Sequence, residues 1–84
     1  MAGEEPRVVV YSKPGCHLCE DAVAVVAQVC ASVGATWVEQ DISDDPDLMR
    51  AYGEQIPVTF VDGGQHDFWR VDAARLSDAL TDPR

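Results

Sequence analysis

One segment decides how this chain folds: Tyr11-Ser12-Lys13-Pro14-Gly15-Cys16-His17-Leu18-Cys19. It overlaps the end of a β-branched run at residues 7–12, which is short and apolar enough for a buried strand. Pro14 and Gly15 end that strand, because neither residue continues a central strand well. Cys16 then opens a long segment of apolar periodicity. The sequence therefore predicts a strand, a tight turn and a helix that begins at a cysteine.

The segment after the turn, residues 16–33, predicts that helix. Its apolar residues recur at three- and four-residue steps in two neighbouring stripes, as on one face of a helix. The stripes comprise Leu18, Ala22, Val25, Val29 and Val33, and beside them Cys19, Val23, Val26 and Cys30. Valine is a mediocre helix former, so a strand is the competing assignment. The alanines and the length favour a helix, and Gly34 provides its stop.

A second strand and a second helix follow in the sequence. The strand is predicted over residues 36–42. Asp45 can cap a helix that starts at Pro46, where a missing N–H costs nothing, and that ends near Gly53. The side chains expected to face inward from this helix are Leu48, Met49 and Tyr52.

The last third of the chain predicts a hairpin and a final helix. Residues 58–61 form a third strand, and Asp62-Gly63 is a strong hairpin turn signal. The returning antiparallel strand is expected over residues 65–71. Asp72 then caps the last helix. The apolar contacts of that helix are Leu76 and Leu80.

The predicted order is β-α-β-α-β-β-α, an α/β arrangement. The first β-α-β is expected to be a right-handed crossover between parallel strands. Helices would then cover both faces of a four-stranded mixed sheet, which is the thioredoxin-like arrangement in its smallest form. Because a domain commonly runs to about 150 residues, residues 1–84 are expected to form a single domain, with a loose tail at residues 1–6.

The charge balance argues against several classes of partner. Fifteen acidic and six basic residues give a formal net charge of −9, which repels nucleic acid and anionic membrane surfaces. The longest apolar stretch, residues 22–27, is far shorter than the roughly 20 residues that cross a bilayer. No signal peptide is visible in the acidic N-terminus. We therefore expect a cytoplasmic protein that acts as a monomer.

Three cysteines carry the chemistry, two of them as Cys16-His17-Leu18-Cys19. A secreted disulfide scaffold normally has an even and larger number. At a helix N-terminus, unpaired N–H groups and the partial positive charge favour a thiolate on Cys16. Cys19 lies one turn later, close enough for a disulfide. This context predicts a redox pair rather than two unconnected buried thiols.

A metal or iron–sulfur site is the main alternative. Zinc usually takes four ligands, commonly from two separated pairs, and this chain has one pair with His17, His66 and Cys30 as isolated candidates. Cys19 and Cys30 are eleven residues apart on one helix, which separates them by about 16 Å. They can therefore neither form a disulfide nor share a metal. A cluster held between two chains stays open as an alternative.

Two segments make the chain similar to a known family. Residues 11–19 resemble the active-site segment of glutaredoxins, a strand and a Ser-Lys pair before Cys-x-x-Cys. The stretch Ile56-Pro57-Val58-Thr59-Phe60-Val61-Asp62-Gly63 resembles that family's cis-proline strand and turn. The likeness extends over about residues 8–80 in element order and spacing. The chain is most similar to the small bacterial glutaredoxin-like proteins.

The resemblance implies a dithiol–disulfide oxidoreductase. Cys16 would be the nucleophile and Cys19 the resolving thiol, alternating between a dithiol and a Cys16–Cys19 disulfide. Lys13, the only lysine, would lie beside Cys16 and favour its thiolate or meet a carboxylate of a thiol cofactor; the alternative is a solvated surface cation. A cis Ile56–Pro57 bond would turn the chain beside Cys16, leaving backbone groups of Ile56 free to pair with a substrate.

The chain also departs from that family. Typical members have a Gly-Gly-x-Asp-type stretch before the last helix that holds glutathione, and this chain has Phe68-Trp69-Arg70-Val71-Asp72. Only Asp72 matches, as a candidate substrate contact. In an extended strand Phe68 and Arg70 share one face and Trp69 the other, so either Trp69 or Arg70 is expected at the cleft rim. Arg70 could pair with a carboxylate, and Trp69 could present a flat apolar wall.

The expected partners follow from this scheme. They are disulfide-containing proteins or small molecules, with a reductase or a small thiol such as glutathione or mycothiol as electron donor. Because the glycines are missing, we expect weak dependence on glutathione. No bound cofactor or metal is needed. The second function class is a non-catalytic module: an iron–sulfur carrier that bridges two chains through Cys16, or an interaction domain of the same fold.

Overall fold

The valine run that precedes the cysteines forms a central strand of the sheet. A computed structural model of the protein describes residues 6–81 and has the predicted element order. The elements are β1 (Val8–Ser12), α1 (His17–Val33), β2 (Trp37–Asp41), α2 (Pro46–Tyr52), β3 (Val58–Val61), β4 (Gly64–Phe68) and α3 (Ala73–Thr81). Of the predicted tail at residues 1–6, all but Pro6 lies outside the described residues.

The four strands form one mixed sheet in the order β2-β1-β3-β4. β1 pairs in parallel with β2, from Val8 opposite Trp37 to Ser12 opposite Asp41. On its other side β1 pairs antiparallel with β3, and β3 pairs antiparallel with β4. The predicted parallel crossover and hairpin are confirmed. β1 is therefore an interior strand, and the loop to α1 starts at its carboxyl end.

Helices cover both faces of the sheet, because alternate residues of β1 point to opposite sides. On one side α1 and α3 pack over a buried cluster of Val8, Val10, Val26, Val29, Cys30, Leu76 and Leu80. On the other side α2 covers an aromatic group of Tyr11, Tyr52 and Phe60, whose ring centroids lie 4.8 to 5.6 Å apart. A smaller buried cluster of Cys19, Ile42 and Ile56 joins this side at the end of β1.

Helix caps fix where the elements start and stop. Asp45 accepts hydrogen bonds from the N–H groups of Asp47 and Leu48, each at 3.1 Å. Gly34, with φ of 76°, ends α1 in the left-handed conformation that favours glycine. These caps are as predicted, since capping depends on residues close in sequence. Among residues 6–81, none of the helices combines the length and apolar character that a bilayer crossing requires.

One arginine joins three elements at the far end of the sheet from the cysteines. The guanidinium of Arg7 donates to both carboxylate oxygens of Asp62, at 3.0 and 2.9 Å. The same group donates to the carbonyl oxygen of Leu80 at 3.1 Å. It therefore connects the start of β1, the β3–β4 turn and the end of α3. Asp62 and Gly63 in that turn have φ of 51° and 87°.

The predicted end of the returning strand is wrong. β4 stops at Phe68 instead of continuing to residue 71. Trp69 has φ of 64°, and the N–H of Arg70 donates to the Phe68 carbonyl at 2.8 Å, which makes a γ-turn centred on Trp69. The N–H of Trp69 also donates to the Pro57 carbonyl at 2.7 Å. The alternation expected of an extended strand therefore does not apply beyond Phe68.

Candidate active site

Cys16 stands at the N-cap of α1, directly after the tight turn. Gly15 adopts φ of 74° and thereby brings the chain from the end of β1 into the helix. The Sγ atom of Cys16 accepts a hydrogen bond from the Cys19 N–H at 3.2 Å. The Cys16 side chain is half-buried, so a disulfide in solution can reach it. The N-cap position and the donated N–H thus direct the positive ends of backbone dipoles at this sulfur.

Cys19 has the opposite surroundings. It is 3% exposed and packs with Ile42 and Ile56. Burial, followed by a hydrogen bond to Cys16, raises the pKa of the Cys19 thiol to about 12. The negative charge of Glu39 raises it further, and the N–H of Lys13 acts in the opposite direction. Cys19 is therefore a protonated thiol beneath the accessible one at neutral pH.

The cis-proline segment lies against the same sulfurs. The Ile56–Pro57 peptide bond is cis, as expected. Ile56 is buried in the cluster that contains Cys19, and Cys16 packs at the edge of that cluster. Within residues 6–81, neither the N–H nor the carbonyl of Ile56 takes part in a hydrogen bond. The structure thus brings Cys16, Cys19 and the Ile56–Pro57 segment together.

A groove of about 320 Å³ runs from the cysteine motif along this segment. It is lined by Leu18, Ile56, Phe68, Trp69 and Arg70. Both Trp69 and Arg70 are at the rim, whereas the sequence predicted one or the other. The reason is the γ-turn at Trp69, which places consecutive side chains on the same groove.

Two of the predicted substrate-binding residues lie elsewhere. Lys13 is exposed and lines a separate cleft of about 300 Å³, together with Ser12, Pro14, Glu39 and Asp41. Asp72 uses Oδ1 to accept from the N–H groups of Ala74 and Arg75, at 2.9 and 3.1 Å, and so caps α3. Neither residue lines the groove, and their substrate contacts stay predictions.

Two kinds of residue at the site were not predicted from the sequence. Phe68 and Leu18 line the groove, and the only signal for them was their nearness in sequence to Trp69 and to the cysteines. Glu39 raises the pKa of the Cys19 thiol because β2 pairs with β1 in the register that puts Glu39 opposite Val10. No local pattern in the sequence specifies that register.

The third cysteine lies away from the site. Cys30 of α1 is buried in the cluster that includes residues of β1 and α3, and burial raises the pKa of its thiol. Among the described residues, 6–81, no three side chains of histidine, cysteine, aspartate or glutamate gather in an arrangement that could hold a metal ion. The dithiol of Cys16 and Cys19 is the chemically distinctive group of this site.

Comparison with known proteins agrees with this geometry. The family model described as Glutaredoxin-like domain (DUF836) matches residues 7–81. The chain belongs to the glutaredoxin-like family. The thioredoxin-like fold and the mixed four-stranded sheet predicted from the sequence are thereby confirmed.

Individual relatives of this glutaredoxin-like protein support the same assignment. An uncharacterized protein of Mycobacterium tuberculosis is 28% identical over 76 residues, which cover 84% of this chain and 78% of that protein. The structure of protein XcR50 from X. campestris is 36% identical, with a TM-score of 0.73, covering 87% of this chain and 93% of that one. A mutant thioredoxin from Halobacterium salinarum is 25% identical, with a TM-score of 0.58, over 84% of this chain and 67% of its own.

Proposed function

We propose that this glutaredoxin-like protein is a thiol–disulfide oxidoreductase whose redox dithiol is Cys16 and Cys19. One observation carries the proposal: the half-buried Cys16 Sγ caps α1 and accepts the Cys19 N–H at 3.2 Å, while Cys19 is buried directly beneath. An accessible sulfur at a helix N-terminus is suited to attack, and a shielded one is suited to resolve the product.

The reaction proceeds by two exchanges. The Cys16 thiolate attacks one sulfur of a substrate disulfide, forming a mixed disulfide and releasing the other sulfur as a thiolate. Cys19 then loses its proton to solvent and attacks Cys16, which releases the second substrate thiolate and leaves a Cys16–Cys19 disulfide. The substrate gains two electrons and the protein loses two. A small thiol, such as glutathione or mycothiol, or a reductase returns the protein to the dithiol.

Substrate chain binds beside the sulfurs through backbone groups. The N–H and carbonyl of Ile56, which have no partner within residues 6–81, can pair with an extended substrate as a neighbouring strand would. Pro57 offers no N–H, and its carbonyl already accepts from Trp69. Lys13 and Asp72 supply a cation and a carboxylate further out. Trp69 replaces a family glycine, so glutathione binds weakly as a partner.

Trapping and labelling test the assignment of roles. Cys19→Ser removes the resolving step, so this variant should accumulate a mixed disulfide with substrate, whereas Cys16→Ser should form none. Cys30→Ser is the matched control and should turn over like the unmodified protein. One equivalent of iodoacetamide at neutral pH should label Cys16 first, as located by peptide mass spectrometry. First labelling of Cys19 or Cys30 would refute the proposed nucleophile.

A further inference from the structure

The groove beside Cys16 has walls of defined chemistry that the exchange reaction itself does not require. We propose that it selects disulfides in extended protein segments in which a bulky apolar side chain and a single carboxylate lie near the cysteine. This inference rests on the proposed oxidoreductase function and adds the substrate class. Its lining joins Leu18 of the cysteine motif and Ile56 to Phe68, Trp69 and Arg70.

The apolar wall of the groove consists of two exposed aromatic rings. Phe68 is 46% exposed and Trp69 51% exposed, and their centroids lie 5.0 Å apart in an edge-to-face arrangement. Aromatic groups with that much free surface normally pack inside a small protein or serve an interface. At about 320 Å³, the groove is at the lower end of the roughly 300–1,000 Å³ typical of binding pockets.

This wall is held in place rather than left to move. The indole N–H of Trp69 donates to the Glu54 carbonyl at 2.9 Å, and its backbone N–H donates to the Pro57 carbonyl at 2.7 Å. The two bonds tie Trp69 to residues on either side of Ile56. The residue keeps a positive φ of 64° that glycine would adopt without strain. Backbone strain that is retained beside a reactive group indicates that the strained residue's side chain contributes to function. A preformed wall also reduces the conformational entropy that is lost when a substrate binds.

Arg70 provides the positive charge of the groove. It is exposed, and within residues 6–81 its guanidinium forms no ion pair. Asp21 and Arg70 both line a smaller adjoining hollow of about 120 Å³. The protein as a whole carries a charge of −9, so a strongly acidic segment is repelled while one carboxylate placed at Arg70 is attracted. This charge pattern favours a nearly neutral segment with one acidic residue.

The groove fits an extended segment better than glutathione. An extended chain can pair with the backbone of Ile56, and its neighbouring side chains then point alternately into and out of the groove. Side chains of such a segment can then contact the Phe68–Trp69 wall and Arg70, which line the same groove. Glutathione offers no bulky apolar side chain for that wall.

Four peptides test the preference directly. Each carries one cysteine as a mixed disulfide with thionitrobenzoate, with phenylalanine or glycine beside it and glutamate or lysine further along. Attack by Cys16 forms the Cys16–peptide disulfide and releases thionitrobenzoate, the better leaving group, whose colour gives the rate. We expect the phenylalanine–glutamate peptide to react about tenfold faster than the glycine–lysine peptide, which corresponds to about 1.4 kcal/mol. The glutathione mixed disulfide of the same reporter is measured alongside.

Matched variants assign the preference to its residues. Trp69→Gly fits the positive φ and should remove the preference for phenylalanine; Trp69→Asn, which also tolerates that φ, provides a second folded variant. Arg70→Glu should reverse the preference from glutamate to lysine. Arg50→Glu makes the same change of charge on exposed α2, away from the groove, and should leave both preferences intact.

The possible outcomes are distinct. Equal rates for the four peptides, or fastest reaction with the glutathione disulfide, would overturn the substrate class while leaving the oxidoreductase function standing. If thionitrobenzoate is released neither from the peptides nor from its own symmetrical disulfide, the proposed function fails and the inference fails with it. An effect of Arg50→Glu equal to that of Arg70→Glu would show general charge attraction and would also overturn the groove as the selector.

Discussion

The backbone has positive φ at both ends of β4, but for different reasons. At the turn end, Asp62 and Gly63 have positive φ, and both are residue types that tolerate it. At the site end, Trp69 has a positive φ of 64° although a tryptophan rarely adopts it. Arg7 supports the turn end, while hydrogen bonds to Glu54 and Pro57 hold Trp69. Local preference thus forms one end, and tertiary contacts impose the other beside the cysteines.

The largest expected difference between the two ends is in activity. Cys16→Ser, at the site end, should lower the rate of disulfide exchange at least about a thousandfold, because a serine hydroxyl is a poor nucleophile at neutral pH. Gly63→Ala, at the turn end, should leave the rate unchanged. Both rates are measured with the same small disulfide substrate. A large loss of rate in Gly63→Ala would show that the two ends of β4 do not act separately.

The buried thiol of Cys19, at the site end, should make the free energy of unfolding decrease at high pH. Cys19 has a pKa of about 12 in the folded protein, against an ordinary 9.0, because burial disfavours its charged form. The unfolded chain therefore loses this proton first as the pH rises. The free energy of unfolding contributed by Cys19 is present below pH 9 and decreases as the pH rises towards 12.

Chemical denaturation of the reduced protein at several pH values measures this decrease. Cys19→Ala is the matched control, because it keeps every other titrating group and lacks the thiol. Above pH 9, the difference between the two proteins in the slope of unfolding free energy against pH gives the contribution of Cys19. Parallel curves would mean that the thiol ionises equally easily in both states.

A pair of substitutions at Trp69 measures the backbone strain of the site end. Trp69→Gly and Trp69→Ala both remove the indole, but only alanine retains the cost of positive φ. We expect Trp69→Gly to be the more stable of the two by about 1 kcal/mol. Gly63→Ala should destabilise the turn end by a similar amount, since the same residue types are exchanged at a similar φ. Urea unfolding of the three variants gives these values. Equal stability of the two Trp69 variants would show that the positive φ of residue 69 has no cost for a side chain.

The smallest effect is expected from the ion pair at the turn end. The Arg7 guanidinium lowers the pKa of Asp62, chiefly through its hydrogen bond. The stabilisation is therefore present above the ordinary value of 3.8 and is lost as the pH falls through the lower folded pKa. Asp62→Asn keeps a residue that tolerates positive φ and should cause a small loss of stability at neutral pH and none in strong acid. The difference should shrink in 1 M salt; one that persists there would indicate a contribution other than charge.

How well each element was predicted depends on where its determinants lie. The caps at Asp45 and Asp72 use bonds between residues two or three apart, so the sequence alone predicts them. The end of β4 was mispredicted because Trp69 is held by Glu54 and Pro57, which are distant in sequence.

The candidate site divides in the same way. The pairing of Cys16 with Cys19 follows from spacing on one helix. The proximity of Glu39 to Cys19 follows from the register between β1 and β2, and the groove follows from the γ-turn after β4. Those two features need the assembled sheet, so residue patterns could not specify them.

The bonds of Arg7 have a practical consequence for engineering the molecule. They bring residues 7 and 80 to the same pole, with the guanidinium 3.1 Å from the Leu80 carbonyl. Cys16 lies beyond the opposite end of β1, whose five residues span about 17 Å. A fluorescent protein or an affinity tag attached at either side of this pole would stand away from the reactive sulfur. A short peptide joining residue 80 to residue 7 would also permit circular permutation, with the chain reopened at a distant exposed loop.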